Sequence, residues 1–463
     1  MEHAQQAQSD PQTLSIRTAI TARNSQGSRA VKRMLLAASL LLALAVPAAA
    51  QTSVCNAAAN RFCAEAAAIT ARLDVRTAME WIDADNPRAR ADLIRLTGIA
   101  APPFGEEARG RAFATMLREA GADSVWTDAV GNVLGLRRGS GGGRSLVLSG
   151  HLDTVFPDDT DVTVTVRGDT LFAPGVGDDT RGLIVVLTVL RALEEAGIET
   201  RDDVLFVGTV GEEGLGDLRG VKHLFREDGP RVDAFISVDG GGEGAITNGA
   251  LGSRRYRITY EGPGGHSWGA FGLGNPHHAL GRAILYFVEA ADPYTREGPR
   301  TSYSVGVLSG GTSVNAIPFE SSMEVDMRSV SPARLAGVDS LFQRAMRRAL
   351  DEQNALRRQG PALTLEVKLV GDRPSGTLDP STPLVQRAQS AARHLGFTPT
   401  LENGSTDSNI PIARGLPAVT IGRGGAGGGA HSPGEWWMNR RGDLAIKNAL
   451  LILLAEAGVA LTP

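Results

Sequence analysis

Five short segments of the chain carry side chains that bind divalent metals. His151 and Asp153 lie in Ser-Gly-His-Leu-Asp-Thr-Val, Asp178 and Asp179 in Gly-Val-Gly-Asp-Asp, and Glu212 and Glu213 in Gly-Glu-Glu-Gly. Asp239 follows in Val-Asp-Gly-Gly-Gly, and His431 in Gly-Gly-Ala-His-Ser-Pro-Gly. Neutral imidazoles with several carboxylates suit zinc or a similar divalent ion. Gathered without metal, these acids would repel one another, and some would have to take up protons. Two ions about 3.5–4 Å apart clamp a water and polarise a carbonyl. The adjacent glutamates fit two jobs, one binding metal while the other moves protons.

Taken singly, each segment has a plainer reading. His-x-Asp recurs by chance, Gly-Glu-Glu-Gly suits a solvated loop, and Asp178-Asp179 can cap the helix that follows. Asp239 before a glycine run can be a turn. Their convergence is what gives them weight. Ser145–Ser149, Val204–Thr209, Ala234–Val238 and Ala418–Ile421 are short, nearly continuous apolar runs, and Gly182–Glu195 has helical periodicity. Such strands alternating with helices predict an α/β fold, a buried and mainly parallel sheet with helices on both faces. Open sheets of that kind bind ligands at the carboxyl edge of their strands. The five segments span about 280 residues, yet parallel strands bring them all to that edge.

The middle of the chain has another texture. A strand over Arg254–Tyr260 leads to a helix over Pro276–Ala290, then strands over Thr301–Leu308 and Ser321–Met327. A long helix over Pro332–Gln353 and a strand over Leu363–Val370 complete the order βαββαβ, a two-layer sandwich. The expected organisation is an N-terminal signal over 1–50, a mature N-terminal segment over 51–84 and a catalytic domain in two parts. Those parts are 85–252 and 371–463, with the insert at 253–370 between them.

Bulk properties narrow the partners. A net charge of −4, with acid and base interspersed, provides no basic surface for nucleic acid. Arg29, Lys32 and Arg33 precede an apolar run from Met34 to Val46, then Pro47 and Ala48-Ala49-Ala50. That run is too short to span a bilayer and reads as an export signal cut after Ala50, with translation starting at Met1 or nearer Val31. The expected mature protein is periplasmic or secreted, with no membrane segment. Cys55 and Cys63, the two cysteines, either form a disulfide there or stay as free thiols.

The motifs resemble those of the dizinc family that holds glutamate carboxypeptidase, peptidase T, succinyl-diaminopimelate desuccinylase, acetylornithine deacetylase and aminoacylase. The similarity runs over roughly residues 85–460 and rests on His-Leu-Asp-Thr-Val, Gly-Asp-Asp-Thr-Arg-Gly, Gly-Glu-Glu-Gly, Val-Asp-Gly-Gly and Ala-His-Ser-Pro-Gly-Glu-Trp. It implies two Zn2+ per chain, with Co2+ or Mn2+ as substitutes. Asp179 would bridge them, His151 and Asp239 completing one site and Glu213 and His431 the other. Glu212 would be the general base, and Asp153 would orient the His151 ring. His266, in Gly-Gly-His-Ser, would stabilise the oxyanion, reaching a neighbouring subunit's site in dimeric members. Asn315 and Arg328 would grip substrate, the arginine fork suiting a carboxylate. The family reads Asp-x-Lys-Gly from its bridging aspartate, and here Asp179-Thr180-Arg181-Gly182 keeps that spacing with arginine for lysine. That register selects Asp179, with Asp178 as the alternative. The expected function is a zinc-dependent exopeptidase, dipeptidase or N-acyl-amino-acid amidohydrolase, acting as a homodimer on small substrates. A deacylase of a non-peptide amide is the alternative, and a non-catalytic binding protein a third, which the intact glutamate pair argues against.

Overall fold

The computed structural model describes residues 55–58 and 60–460, so the expected export signal lies outside the described residues. The main sheet runs Ser124–Thr127, Val133–Arg137, Asp203–Thr209, Ser145–His151, Ala234–Val238, Ala418–Ile421, Ala245–Ala250 and Gly376–Thr377, with Thr400–Gly404 also pairing Ala245–Ala250. Its four middle strands are parallel, and antiparallel strands flank them on both sides. The middle strands are buried almost end to end, as strands covered on both faces must be. The Thr180–Glu195 helix is buried from Thr180 to Leu193 and packs on the Ser145–His151 strand and the Asp443–Ala457 helix. Apolar residues all round that helix fit its place inside the domain.

The insert shows the βαββαβ order. Strands Thr301–Gly310, Glu320–Ser329, Gly252–Glu261 and Thr364–Arg373 lie side by side in an antiparallel sheet. Helices Pro276–Thr295 and Pro332–Ala355 close a separate core around Phe287, Phe342, Ile258 and Met327. Each strand outruns its apolar pattern by one to three residues, because ladder hydrogen bonds extend past the buried side chains.

The 51–84 segment carries structure that its composition does not announce. Helices Arg61–Ala71 and Leu73–Ala84 fold there, the first packed on helices Pro383–His394 and Asp443–Ala457. Cys55 and Cys63 are joined in a disulfide at the start of this segment, which settles the choice between bridge and free thiols. Among the described residues no helix is long and apolar enough to cross a membrane.

Candidate metal centre and substrate cavity

The carboxyl edge of the parallel strands gathers the expected donors. His151 is the last residue of its strand, while Glu212 and Asp239 follow the ends of theirs within a few residues. His431 arrives on the loop beyond Ala418–Ile421, with a left-handed backbone of φ 63°. Three groups have donor atoms within 4.8 Å of one another: His151, Asp178 and Asp239; Asp178, Glu213 and His431; and His151, Glu212 and Glu213. His151, Asp178 and Glu213 each belong to two of them, and Asp178 alone joins the two groups that exclude Glu212. Asp178 Oδ1 lies 3.3 Å from His151 Nε2 and its Oδ2 3.3 Å from His431 Nε2, with Glu213 Oε1 2.8 Å from the same His431 nitrogen.

The position common to the two groups without Glu212 is held by Asp178, where the sequence register pointed to Asp179. Asp179 is fully buried and caps the Thr180–Glu195 helix, its Oδ1 accepting from Gly182 N at 3.1 Å. Its Oδ2 accepts from His151 N at 3.0 Å. Each oxygen faces a backbone N–H, and Asp179 belongs to none of the three donor groups. Asp153 also differs in detail from its expected role. The His151 ring bonds the Asp153 carbonyl oxygen through Nδ1 at 2.9 Å, whereas the Asp153 carboxylate lies 3.7 Å away. That carboxylate instead accepts from Glu212 N at 3.0 Å and Glu213 N at 2.7 Å. One residue thus sets the ring and both glutamates.

The electrostatics of this cluster test whether it suits cations. Burial and then the Asp178 charge push the Asp239 carboxyl up to about 6, and burial raises Glu212 and Asp179 well above the carboxylate range. Hydrogen bonds donated by its ring to Asp178 and Glu213 lift His431 to about 10. Against the cost of burial, contacts with His151 and His431 hold Asp178 well below its ordinary value. Acids crowded so closely ionise together only if cations join them. Imidazole and carboxylate donors with one shared carboxylate fit two divalent ions.

Several contributors escape sequence inspection. Glu435 is buried and accepts from Gly175 N at 2.7 Å, Gly177 N at 2.9 Å and Asp178 N at 2.8 Å, cradling the loop that presents Asp178. It stands in the Ala-His-Ser-Pro-Gly-Glu-Trp motif, four residues past His431, which was its available signal. Arg423 Nη1 lies 3.3 Å from Asp178 Oδ1 and 3.8 Å from Asp239 Oδ1. Arg373, the last residue of the insert's fourth strand, donates to Glu212 Oε1 at 3.0 Å, to the Glu212 carbonyl, and to Ser405 Oγ at 3.0 Å. The insert touches the same loop twice more, through Arg255 Nη1 to Gly214 O at 2.6 Å and Asp372 N to Asp217 Oδ1 at 2.9 Å.

These groups surround a cavity of about 390 Å³ that the insert shares. Arg328 lines it, together with Arg255 and Arg373. His266 and Asn315 do not line it. His266 pairs with Ala316 on a short ladder, and just beyond it Ser267 N donates to Asn315 O at 2.9 Å. His266 Nδ1 accepts from Trp268 N at 3.2 Å, which in the neutral ring leaves Nε2 carrying the proton as a donor.

The fold and this centre define a metal-dependent hydrolase, and comparison with known proteins gives the lineage. The model of peptidase family M20/M25/M40 matches residues 147–454, and the chain belongs to that family. Its members hydrolyse amide or peptide bonds, and so does this chain. It is 24% identical over 302 residues to carboxypeptidase G2 of Pseudomonas sp. strain RS-16, covering 62% of this chain and 68% of that one. It is 30% identical over 215 residues to succinyl-diaminopimelate desuccinylase of Leptothrix cholodnii, covering 43% and 56%. In fold it resembles a tripeptidase of Staphylococcus aureus subsp. aureus Mu50, with a TM-score of 0.65 at 22% identity over 80% of this chain and 98% of that one. A dipeptidase of Saccharomyces cerevisiae gives a TM-score of 0.65 at 17% identity, covering 83% and 99%.

Proposed function

We propose that the chain is an exported two-metal hydrolase that cleaves an amide bond in small peptides or N-acyl amino acids. The observation that carries this reading is Glu212 standing beside two donor groups that share Asp178, at one cavity. His151, Asp178 and Asp239 would hold one ion, and Asp178, Glu213 and His431 the other: zinc, with cobalt or manganese as substitutes. Two such ions, when bound, acidify a water and polarise the scissile carbonyl.

The remaining work belongs to the chain. Asp153 fixes the backbone of both glutamates. Arg373 holds Glu212 at Oε1, leaving Oε2 for proton transfer. Glu212 takes a proton from the attacking water and delivers it to the leaving nitrogen as the C–N bond breaks. Arg328 grips a substrate carboxylate. His266, donating from Nε2, and Asn315 serve the oxyanion and the substrate in the site of a second copy, the insert forming the homodimer. Their absence from the lining of their own chain's cavity, and the exposed Trp268 and Val314 beside them, support that arrangement. The Cys55–Cys63 disulfide supports export, since such bonds persist in oxidising compartments.

Dipeptides, tripeptides and N-acyl amino acids incubated with the zinc-loaded chain test the reaction; no hydrolysis in any class overturns it. Mixing a His266→Ala chain with a Glu212→Gln chain tests the shared site. Activity regained in the mixture is expected, and confirmed heterodimers without it refute the sharing. Sequencing the N-terminus of the exported protein checks for a cut after Ala50.

A further inference from the structure

We infer that the cavity selects substrates bearing a second anionic group, and that Arg255 is the residue that binds it. This rests on the reading above, in which Arg328 takes one carboxylate and two ions occupy the donor groups.

Arg255 and Arg328 stand on neighbouring strands of the insert, with Asp326 directly opposite Arg255. Asp326 Oδ1 accepts from Arg255 Nε at 2.9 Å, and its Oδ2 from Arg328 Nε at 2.7 Å. A single carboxylate thus aligns two guanidinium groups by their Nε edges and turns their outer nitrogens away from itself. Arg255 spends Nη1 on the Gly214 carbonyl. Among the described residues, Arg255 Nη2 and both Nη groups of Arg328 have no protein partner, while both residues line the cavity. A guanidinium with free donors, held in place by other bonds, is pre-organised for a carboxylate.

The charge count agrees. Four acids line the cavity, Asp178, Glu212, Glu213 and Asp239, and two divalent ions match them. Arg255, Arg328 and Arg373 add three positive charges, of which Asp326 offsets one. Counted over the lining residues and Asp326, two positive charges remain for the substrate. One carboxylate leaves the second unmatched in a confined space, where an unpaired charge is costly. The anchor of Arg255 on Gly214 O, next to Glu213, puts the second anion site on the Glu213 side of the cavity. The second carboxylate then belongs either to the side chain of the released amino acid or to the acyl group.

Matched pairs distinguish these sources. N-acetylglutamate against N-acetylglutamine varies the amino acid, and N-succinylleucine against N-butanoylleucine varies the acyl group. A hydrogen bond to a charged partner contributes about 1.5–3 kcal/mol, so in one arm the acidic member should lead by about 10- to 100-fold in kcat/KM. Arg255→Met should bring that pair within about threefold, and Arg255→Lys should restore part of the preference. Wild-type preferences below threefold in both arms, or a preference that survives Arg255→Met, overturn the inference. Calorimetry with glutarate and butyrate on the zinc-loaded protein needs no turnover. Glutarate should bind at least tenfold tighter in the wild type and lose that lead in Arg255→Met, whereas equal affinities overturn the inference. Failure to cut any amide, with the glutarate preference intact, refutes the hydrolytic reading alone.

Discussion

Glu435→Gln perturbs the presentation of Asp178 without touching a donor. The wild-type carboxylate takes three N–H bonds, two at Oε1 from Gly177 and Asp178 and one at Oε2 from Gly175. A glutamine keeps one acceptor and points its amide nitrogen at an N–H that it cannot satisfy. Each bond to a charged acceptor contributes about 1.5–3 kcal/mol net. Losing one, with a donor facing a donor, costs the loop about 2–4 kcal/mol of order. Metal binding must then restore that order, so zinc affinity is expected to fall by at least about 30-fold. Competition against a chromophoric chelator gives the affinity, elemental analysis the stoichiometry, and melting in excess chelator the stability of the metal-free fold. Glu435→Asp, which keeps both acceptors, should recover part of the affinity. An affinity within threefold of wild type refutes the argument. So does a lower metal-free melting temperature with unchanged affinity, because Glu435 would then support the fold alone.

Glu212→Gln should lower turnover about 10²–10⁴-fold while both ions stay bound, whereas Glu213→Gln should release metal first; the reverse pattern in parallel zinc and rate measurements exchanges their roles. Asp178→Asn should reduce zinc stoichiometry. Asp179→Asn should keep two ions and lose about 0.5–2 kcal/mol of stability as a helix cap, and equal metal loss in both variants would refute the choice of Asp178. Burial pushes the Asp407 carboxyl up to about 6, with its Oδ1 unpartnered. Between about pH 4 and 6 the folded chain keeps this proton and the unfolded chain releases it, so stability falls as pH rises through that window. The loss approaches about 3 kcal/mol and levels off above pH 6. Denaturation in chelator should show a flatter profile for Asp407→Asn; identical slopes would refute the assignment.

The framework of the fold was legible because buried parallel strands are written as unbroken apolar runs. Ser145–Ser149, Val204–Thr209, Ala234–Val238 and Ala418–Ile421 all lie within or match strands of the main sheet. Short strands such as Thr165–Arg167 and Ala426–Gly428 bury almost nothing and leave no periodicity to read. The Leu73–Ala84 helix was readable from Val75, Ala78 and Ile82, spaced three and four apart, although the segment was expected only as a mature N-terminus. Within the centre, the chemistry of the donors was plain from residue type. Choosing between Asp178 and Asp179 was not, because the choice depends on which carboxylate meets the backbone N–H of Gly182 and His151. Glu435 and Arg373 act through partners 161 to 260 residues away, and no local spacing encodes that.

The insert meets the catalytic domain at the very loop that bears Glu212. Arg255 reaches Gly214, Asp372 reaches Asp217, and Arg373 grips both the carbonyl and the carboxylate of Glu212. The two bodies are therefore geared together. Any swing of the insert pulls on the 212–217 loop and changes the aim of Glu212 over the donors. A compound wedged between the bodies could shift Glu212 without touching a donor residue, and so could a substitution far out on the insert.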